Sequence, residues 1–246
     1  MDGSEQPTDR IHQRGLGMLS LKGLMDLFAS LIFLSVILFV PAGGLDWPMA
    51  WVLIGVVLAC MTLNMVVLLQ KNPAALDERV RLESFRVESG AKKWDLLVIC
   101  TFAFSTLATF VVAGLDYRYG RLVDHPFWLP ALAVTGAIVG DLLFLWAMTV
   151  NPFCSKVVRI QKERDHQVIS TGPYRYVRHP GYVGWFLMWS APPLILGSVW
   201  AFVPTGLSLG LIILRTYLED RTLVEELNSY KDYAVSVPYR LIPGIW

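Results

Sequence analysis

Four stretches of this chain are too apolar, over too great a length, for a soluble domain to hide them all. A helix needs about 20 largely apolar residues to cross the hydrocarbon of a bilayer. The runs Leu24 to Val40, Pro48 to Leu69, Leu96 to Leu115 and Phe127 to Val150 reach or approach that length. Two shorter runs follow, Tyr182 to Leu196 and Ala201 to Leu214, joined at Gly197-Ser198 and interrupted by Pro192, Pro193 and Pro204. The expected fold is an all-α, polytopic transmembrane bundle of about six spans. Its last two spans form a tight hairpin of tilted or broken helices, whose freed backbone groups must be satisfied inside the protein.

Loop charge sets the orientation of such a bundle, because Lys and Arg are retained on the cytoplasmic side. Arg10, Arg14 and Lys22 precede the first run, and Lys71, Arg79, Arg81, Arg86, Lys92 and Lys93 separate the second from the third. Lys156, Arg159, Lys162, Arg164, Arg175 and Arg178 lie before the hairpin, and Arg215, Arg221, Lys231 and Arg240 after it. Only Arg118 and Arg121 fall in loops of the other parity. Both termini are therefore expected in the cytoplasm.

The rest of the composition narrows the function classes. Only 17% of residues are charged against 54% hydrophobic, and the net charge of +1 offers no basic surface for nucleic acid. Cys60, Cys100 and Cys154 lie far apart, two of them in apolar runs, so neither a disulfide nor a catalytic thiol is expected. His12, His125, His166 and His179 have no ligand spacing, and no metal site is expected. Residues 1–20 read as a polar tail without a signal-peptide pattern. Residues 21–246 read as one membrane-embedded domain.

Two segments of the cytoplasmic side are chemically richer than connectors need to be. The first, Asn151 to Pro180, ends in Thr171-Gly172-Pro173-Tyr174-Arg175-Tyr176-Val177-Arg178-His179-Pro180-Gly181-Tyr182. Proline suits the first position of a helix, so His179-Pro180 opens the fifth apolar run. The amides that follow, with the helix dipole and the donors of Arg178 and His179, form a site for a carboxylate or phosphate. The plainer reading makes Arg175, Arg178 and the tyrosines interface anchors. In the second segment, Arg215-Thr216-Tyr217-Leu218-Glu219-Asp220, Arg215 and Glu219 share a helix face; the plainer reading is a surface ion pair worth a few tenths of a kcal/mol.

The hairpin, however, brings these two ends together. A zwitterion would suit them, its carboxylate at the helix start and its ammonium at Glu219. The methionine part of S-adenosylmethionine is such a group, and its sulfonium is favoured near aromatic faces; Tyr174, Tyr182 and Trp185 are candidates.

At these residues the chain resembles the isoprenylcysteine carboxyl methyltransferase family of integral membrane enzymes. The resemblance rests on the Gln161 region, Gly172 with Tyr174, and Arg178-His179-Pro180-x-Tyr182-Val183-Gly184-Trp185. It continues in Arg215-Thr216 with Glu219, and in Tyr230-x-x-Tyr233 leading to Val237-Pro238. Asn72-Pro73 with Glu78-Arg79, and Lys92-Lys93-Trp94-Asp95, resemble bacterial members more weakly, which implies a bacterial inner membrane. The resemblance implies S-adenosylmethionine as cofactor, bound within residues 151–246 and facing the cytoplasm. Its contacts would be Gln161, His166, Gln167, Val168, Ile169, Tyr174, His179, Pro180, Gly181, Tyr182 and Glu219. Arg215 and Glu219 would be catalytic, and Arg215 and Trp185 would meet a lipophilic substrate arriving from the bilayer lipids. The Gln161–His166 spacing is shorter than in eukaryotic members, so Arg159 competes with Gln161 for its position.

The acceptor stays open among a prenylcysteine-like carboxylate, a thiol and a lipid amine. Two other readings compete. The end Val237-Pro238-Tyr239-Arg240-Leu241-Ile242-Pro243-Gly244-Ile245-Trp246 is also similar to that of NADPH-dependent sterol reductases. Those are longer, with more spans, and lack the Arg-Thr-x-x-Glu fit. A non-catalytic membrane scaffold would leave the polar hairpin ends unexplained.

Overall fold

Eight α-helices and no strand occupy the described residues, which are 7–80 and 90–246 of a computed structural model. The side chains of Arg10, Arg14, Lys22, Arg79, Arg81 and Arg86, counted above toward sidedness, lie outside the described residues, as do those of Glu78 and of the polar tail. The helices are α1 (Pro7–Ala42), α2 (Pro48–Lys71), α3 (Pro73–Val80), α4 (Lys93–Arg118), α5 (Trp128–Val150), α6 (Pro180–Leu196), α7 (Phe202–Glu226) and α8 (Tyr230–Ser236). Four segments are long and apolar enough to cross a membrane: Gly23–Ala42, Pro48–Lys71, Lys93–Arg118 and Trp128–Val150. α6 has 17 residues, about 25 Å at the helical rise, somewhat less than the hydrocarbon thickness of about 30 Å. The protein is an integral membrane helical bundle.

Lipid explains the exposed faces. Phe33, Leu97, Phe104, Leu132 and Val203 are each more than 60% exposed, a pattern that water would not tolerate along whole helices.

The hairpin is present, but its helices are not broken. Pro192 and Pro193 sit inside a continuous α6, and α7 carries its helix past Leu214 to Glu226. The turn falls at Gly197, whose φ of 73° is the left-handed conformation that a glycine adopts without strain.

Helices in lipid gain no hydrophobic drive toward one another, so small and polar residues set their packing. α5 and α6 approach so closely that a Cβ at Gly140 would stand 2.6 Å from the Gly184 carbonyl oxygen. α4 and α7 are joined by paired hydroxyls, Ser105 to Ser208 at 2.7 Å and Thr109 to Thr205 at 3.2 Å.

The two ends of the bundle differ in density. At the end holding Arg118 and Arg121, the main core fills the space with Leu38, Ala50, Ala113 and Ile195, all fully buried. The Ser198 hydroxyl there donates to Asp116 at 2.6 Å, and the Val123 amide donates to the Gly197 carbonyl at 3.0 Å. At the Lys/Arg-rich end smaller clusters, one around Leu68 and Met148 and one around Tyr230 and Tyr233, pack beside loops that join the helices. Asn72 Nδ2 donates to the Met148 carbonyl at 2.8 Å, Lys92 N to the Val158 carbonyl at 3.1 Å, and Lys92 Nζ pairs with Glu226 at 2.5 Å. The cavity at this end holds the site.

Candidate active site

α7 leaves its apolar segment at Leu214, and the next turns carry Arg215, Glu219 and Asp220. Helical phase turns Asp220 away from Arg215 and Glu219, and each acid has its own surroundings. Asp220 is 2% exposed and acts as a hub. It accepts both Nε and NH2 of Arg178 at 2.7 and 3.0 Å, His179 Nε2 at 3.1 Å, the Tyr230 hydroxyl at 3.0 Å and Arg240 Nε at 2.8 Å. Burial alone would raise its pKa, but the hydrogen bonds from His179 and Arg178 outweigh that and hold it far below the usual carboxylate range. Arg178 spends NH1 on the carbonyls of Val237 and Pro238 at 2.8 and 2.9 Å. It therefore ties the C-terminal segment to the start of α6 instead of supplying the anion donor expected from the sequence.

Arg215 does not follow the plainer reading of the sequence. It makes no surface pair with Glu219; its fork closes on Asp95, in the first turn of α4, with Nε at 2.7 Å and NH2 at 3.1 Å. NH2 also donates to the Lys156 carbonyl at 2.6 Å. Glu219 instead accepts the Tyr182 hydroxyl. The Arg215 guanidinium lies 5.7 Å from the centre of the Tyr182 ring and 5.9 Å from that of Trp185.

These groups border a cavity of about 360 Å³, within the range of small-molecule sites. One half is polar, lined by Asn151, Lys156, Arg159, Tyr174, Glu219 and Tyr230. The other is apolar and lies between the helices, lined by Val98, Ile99, Phe102, Phe144, Trp185 and Leu211. Phe102 and Phe144 each stand 5.8 Å from the Trp185 ring and form its floor.

Most of the residues expected at the site meet here. His166, Gln167, Val168, Ile169, Tyr174, His179, Gly181, Tyr182, Trp185, Arg215 and Glu219 all line the cavity. Gln161 and Pro180 do not. Gln161 is fully buried behind the wall, donating Nε2 to the Phe153 carbonyl at 2.6 Å and accepting Arg164 at 2.7 Å. Pro180 is among the fully buried side chains, within the first turn of α6. Arg159, the alternative to Gln161, does line the cavity, and it pairs with Glu163 at 2.6 Å.

Asp95, Asp220, Asn151 and Phe153 were missed by sequence reasoning. Asp95 had a usable signal, since an acid at the very start of a membrane-length apolar run calls for a partner. Asp220 had none beyond helical phase.

His166 stacks on Phe153 at 4.5 Å, and its Nδ1 accepts the Gln161 amide at 3.3 Å. Burial, then the charges of Arg164 and Arg159, lower its pKa to about 4. The ring is therefore neutral at physiological pH. With Nδ1 accepting, Nε2 carries the proton. Because the folded pKa is depressed, the neutral ring favours the fold above the ordinary value of about 6.5, and that contribution fades as pH falls toward 4. Ligand affinity at this site is expected to be flat from pH 8 to about 6 and to fall below about 5, as titration calorimetry across pH would show; an inflection near 6.5 that His166→Gln removes would contradict it.

The residues present fit a cationic zwitterion that carries an aromatic base. Glu219 is a carboxylate inside the cavity, Tyr182 and Trp185 offer π faces, and the half-buried His166 and Tyr174 offer neutral polar edges. Burial pushes the Tyr174 hydroxyl well above its ordinary pKa, so it too is neutral.

Comparison with known proteins falls on the same segment. Residues 131–225 match the model of the isoprenylcysteine carboxyl methyltransferase (ICMT) family. The similarity to that family thus covers the α5–α7 part of the chain. A protein-S-isoprenylcysteine O-methyltransferase of Dictyostelium discoideum is 33% identical over 129 residues, covering 48% of this chain and 50% of that relative. The Rattus norvegicus relative of the same name is 34% identical over 146 residues, covering 56% of this chain and 49% of its own. The chain thus spans about half the length of the curated methyltransferases it matches. A solved eukaryotic intramembrane Ras methyltransferase, also an isoprenylcysteine carboxyl methyltransferase, superposes with a TM-score of 0.56 at 21% identity, covering 87% of this chain and 74% of that one. That likeness speaks to the fold. The methyltransferase match runs from α5 through α7 and so contains most of the cavity wall, including Tyr174, His179, Tyr182, Arg215 and Glu219. None of these methyltransferase relatives favours the reductase reading.

Proposed function

We propose that this protein is an integral membrane methyltransferase that moves the methyl group of S-adenosylmethionine to a lipophilic acceptor. The observation that carries the reading is the single cavity with a carboxylate-bearing polar half and an apolar half between the helices. Bound S-adenosylmethionine supplies an electrophilic methyl group. Glu219 and the start of α6 at Gly181 would hold the ammonium and carboxylate of its methionine part, with Tyr182 and Trp185 beside the sulfonium. His166, Gln167, Val168, Ile169 and Tyr174 would enclose the rest.

The acceptor's class decides what else the protein must do. A carboxylate such as that of a prenylcysteine is already an anion, so attack needs no general base. Arg215 meets the anionic head, and the walls hold it in line and exclude water. A thiol or lipid amine would need to lose a proton, and the cavity has no neutral base placed as plainly as the cationic Arg215. The geometry therefore favours a carboxylate, giving a methyl ester.

Among the described residues α4 and α5 share almost no packing, while α5 seals against α6 and α4 against α7. The lipid chain of the acceptor enters from the bilayer into the apolar half, whose walls come from α4, α5, α6 and α7. The Lys/Arg-rich loops support a polar half that faces the cytoplasm, and the resemblance of the upstream segments to bacterial members supports a bacterial inner membrane.

The test is transfer of label from S-adenosylmethionine to N-acetyl-S-farnesylcysteine by purified protein, with base-labile product as the sign of an ester. Binding of NADPH without S-adenosylmethionine would reinstate the reductase reading. Affinity for neither would favour a scaffold.

A further inference from the structure

Arg215 and Glu219 stand four residues apart on one helix, the spacing at which opposite charges pair, and both line the same cavity. They are kept for separate partners by a third residue. Asp95 is fully buried on α4 and takes the Nε and NH2 edge of Arg215 on its two oxygens. The Lys156 carbonyl takes another NH2 proton. Of the five N–H donors of a guanidinium, these bonds leave the two on NH1. Asp95 is itself fixed, because Oδ2 accepts the Val158 amide at 2.6 Å while Lys92 N holds the Val158 carbonyl at 3.1 Å. The carboxylate thus anchors the loop wall of the cavity and the arginine at one point.

We propose that Asp95 is a positioning residue that draws Arg215 away from Glu219, so that one cavity keeps an anion-binding and a cation-binding half. Without Asp95, the nearest carboxylate in reach of the guanidinium is Glu219, and an Arg215–Glu219 pair would neutralise both halves at once. Asp95 touches neither reactant in this scheme; it acts through Arg215. The inference rests on the reading of Glu219 as the ammonium ligand.

The test is S-adenosylmethionine affinity by calorimetry in nanodiscs, which needs no turnover and no acceptor. Asp95→Asn is expected to bind about tenfold more weakly, the weight of one charge-assisted hydrogen bond. Adding Arg215→Gln removes the competitor for Glu219 and is expected to restore affinity to within about two-fold of Arg215→Gln alone, a rescue that a merely structural role for Asp95 would not produce. A double variant as weak as Asp95→Asn, or an Asp95→Asn protein that binds like wild type, overturns the proposal.

If Asp95→Asn does not fold, the double variant carries the test, because losing both charges together avoids a buried unpaired one. It should then fold and match Arg215→Gln; folding with tenfold weaker binding overturns the proposal. Should Glu219→Ala bind like wild type, it is the cofactor reading that fails, whatever Asp95 does.

Discussion

Glu219→Ala is expected to lose S-adenosylmethionine binding by about 100-fold or more, with a melting temperature close to wild type. A carboxylate paired to a ligand ammonium in a desolvated cavity is worth about 2–5 kcal/mol when one partner is truncated, and about 2.7 kcal/mol is 100-fold. Stability changes little because Glu219 lines a cavity and its hydrogen bond is to the Tyr182 hydroxyl. Glu219→Gln keeps the shape and an acceptor oxygen, so its loss should be nearly as large if charge is what the ligand reads. Calorimetry and thermal unfolding on the same preparations separate the two quantities. A Glu219→Ala protein that binds normally removes this residue from the site.

Asp220→Asn acts in the opposite sense, on the fold before the ligand. The carboxylate is 2% exposed and faces two arginines, a histidine and a tyrosine. Breaking a buried ion pair from one side costs about 3–5 kcal/mol, so a marked fall in melting temperature is expected, with loss of binding as a consequence. The pH sign follows from the same bonds. Asp220 titrates far below its unfolded value of about 3.9, so its contribution is complete above pH 4 and drains away only in stronger acid. Asp220→Asn should therefore lower the melting temperature by a nearly constant amount between pH 5 and 8. A near-neutral melting temperature for this variant would show that the hub does not hold the hairpin.

The spans were legible because their signal is crude: long apolar runs need only be counted, and Pro48 and Pro180 open helices where the first-turn rule puts them. The helical continuity of Pro192-Pro193 was not legible, since proline removes a donor in any context and only the packed surroundings decide whether the helix bends or breaks. The site divided in the same way. Glu219, His179 and Tyr182 could be brought together by the hairpin alone, because their proximity follows from chain order. Arg215's true partner could not, because Asp95 is 120 residues away and reaches it only through helix packing. Gln161 shows the converse. Only the family resemblance made it a ligand contact, and its amide is consumed by Phe153 and Arg164.

The segment that secures Arg178 comes last in the sequence. The carbonyls of Val237 and Pro238 hold its NH1, and its own amide donates to the Tyr239 carbonyl at 2.9 Å. Synthesis proceeds from the other end, so the bundle's dense core, built from α1, α2, α4, α5 and α6, can assemble while these residues are still inside the ribosome. The hollow end cannot. The hairpin is made before the carbonyls that hold Arg178 NH1, so the binding site becomes whole only after residues 237–240 have followed it out, a built-in delay between insertion and competence.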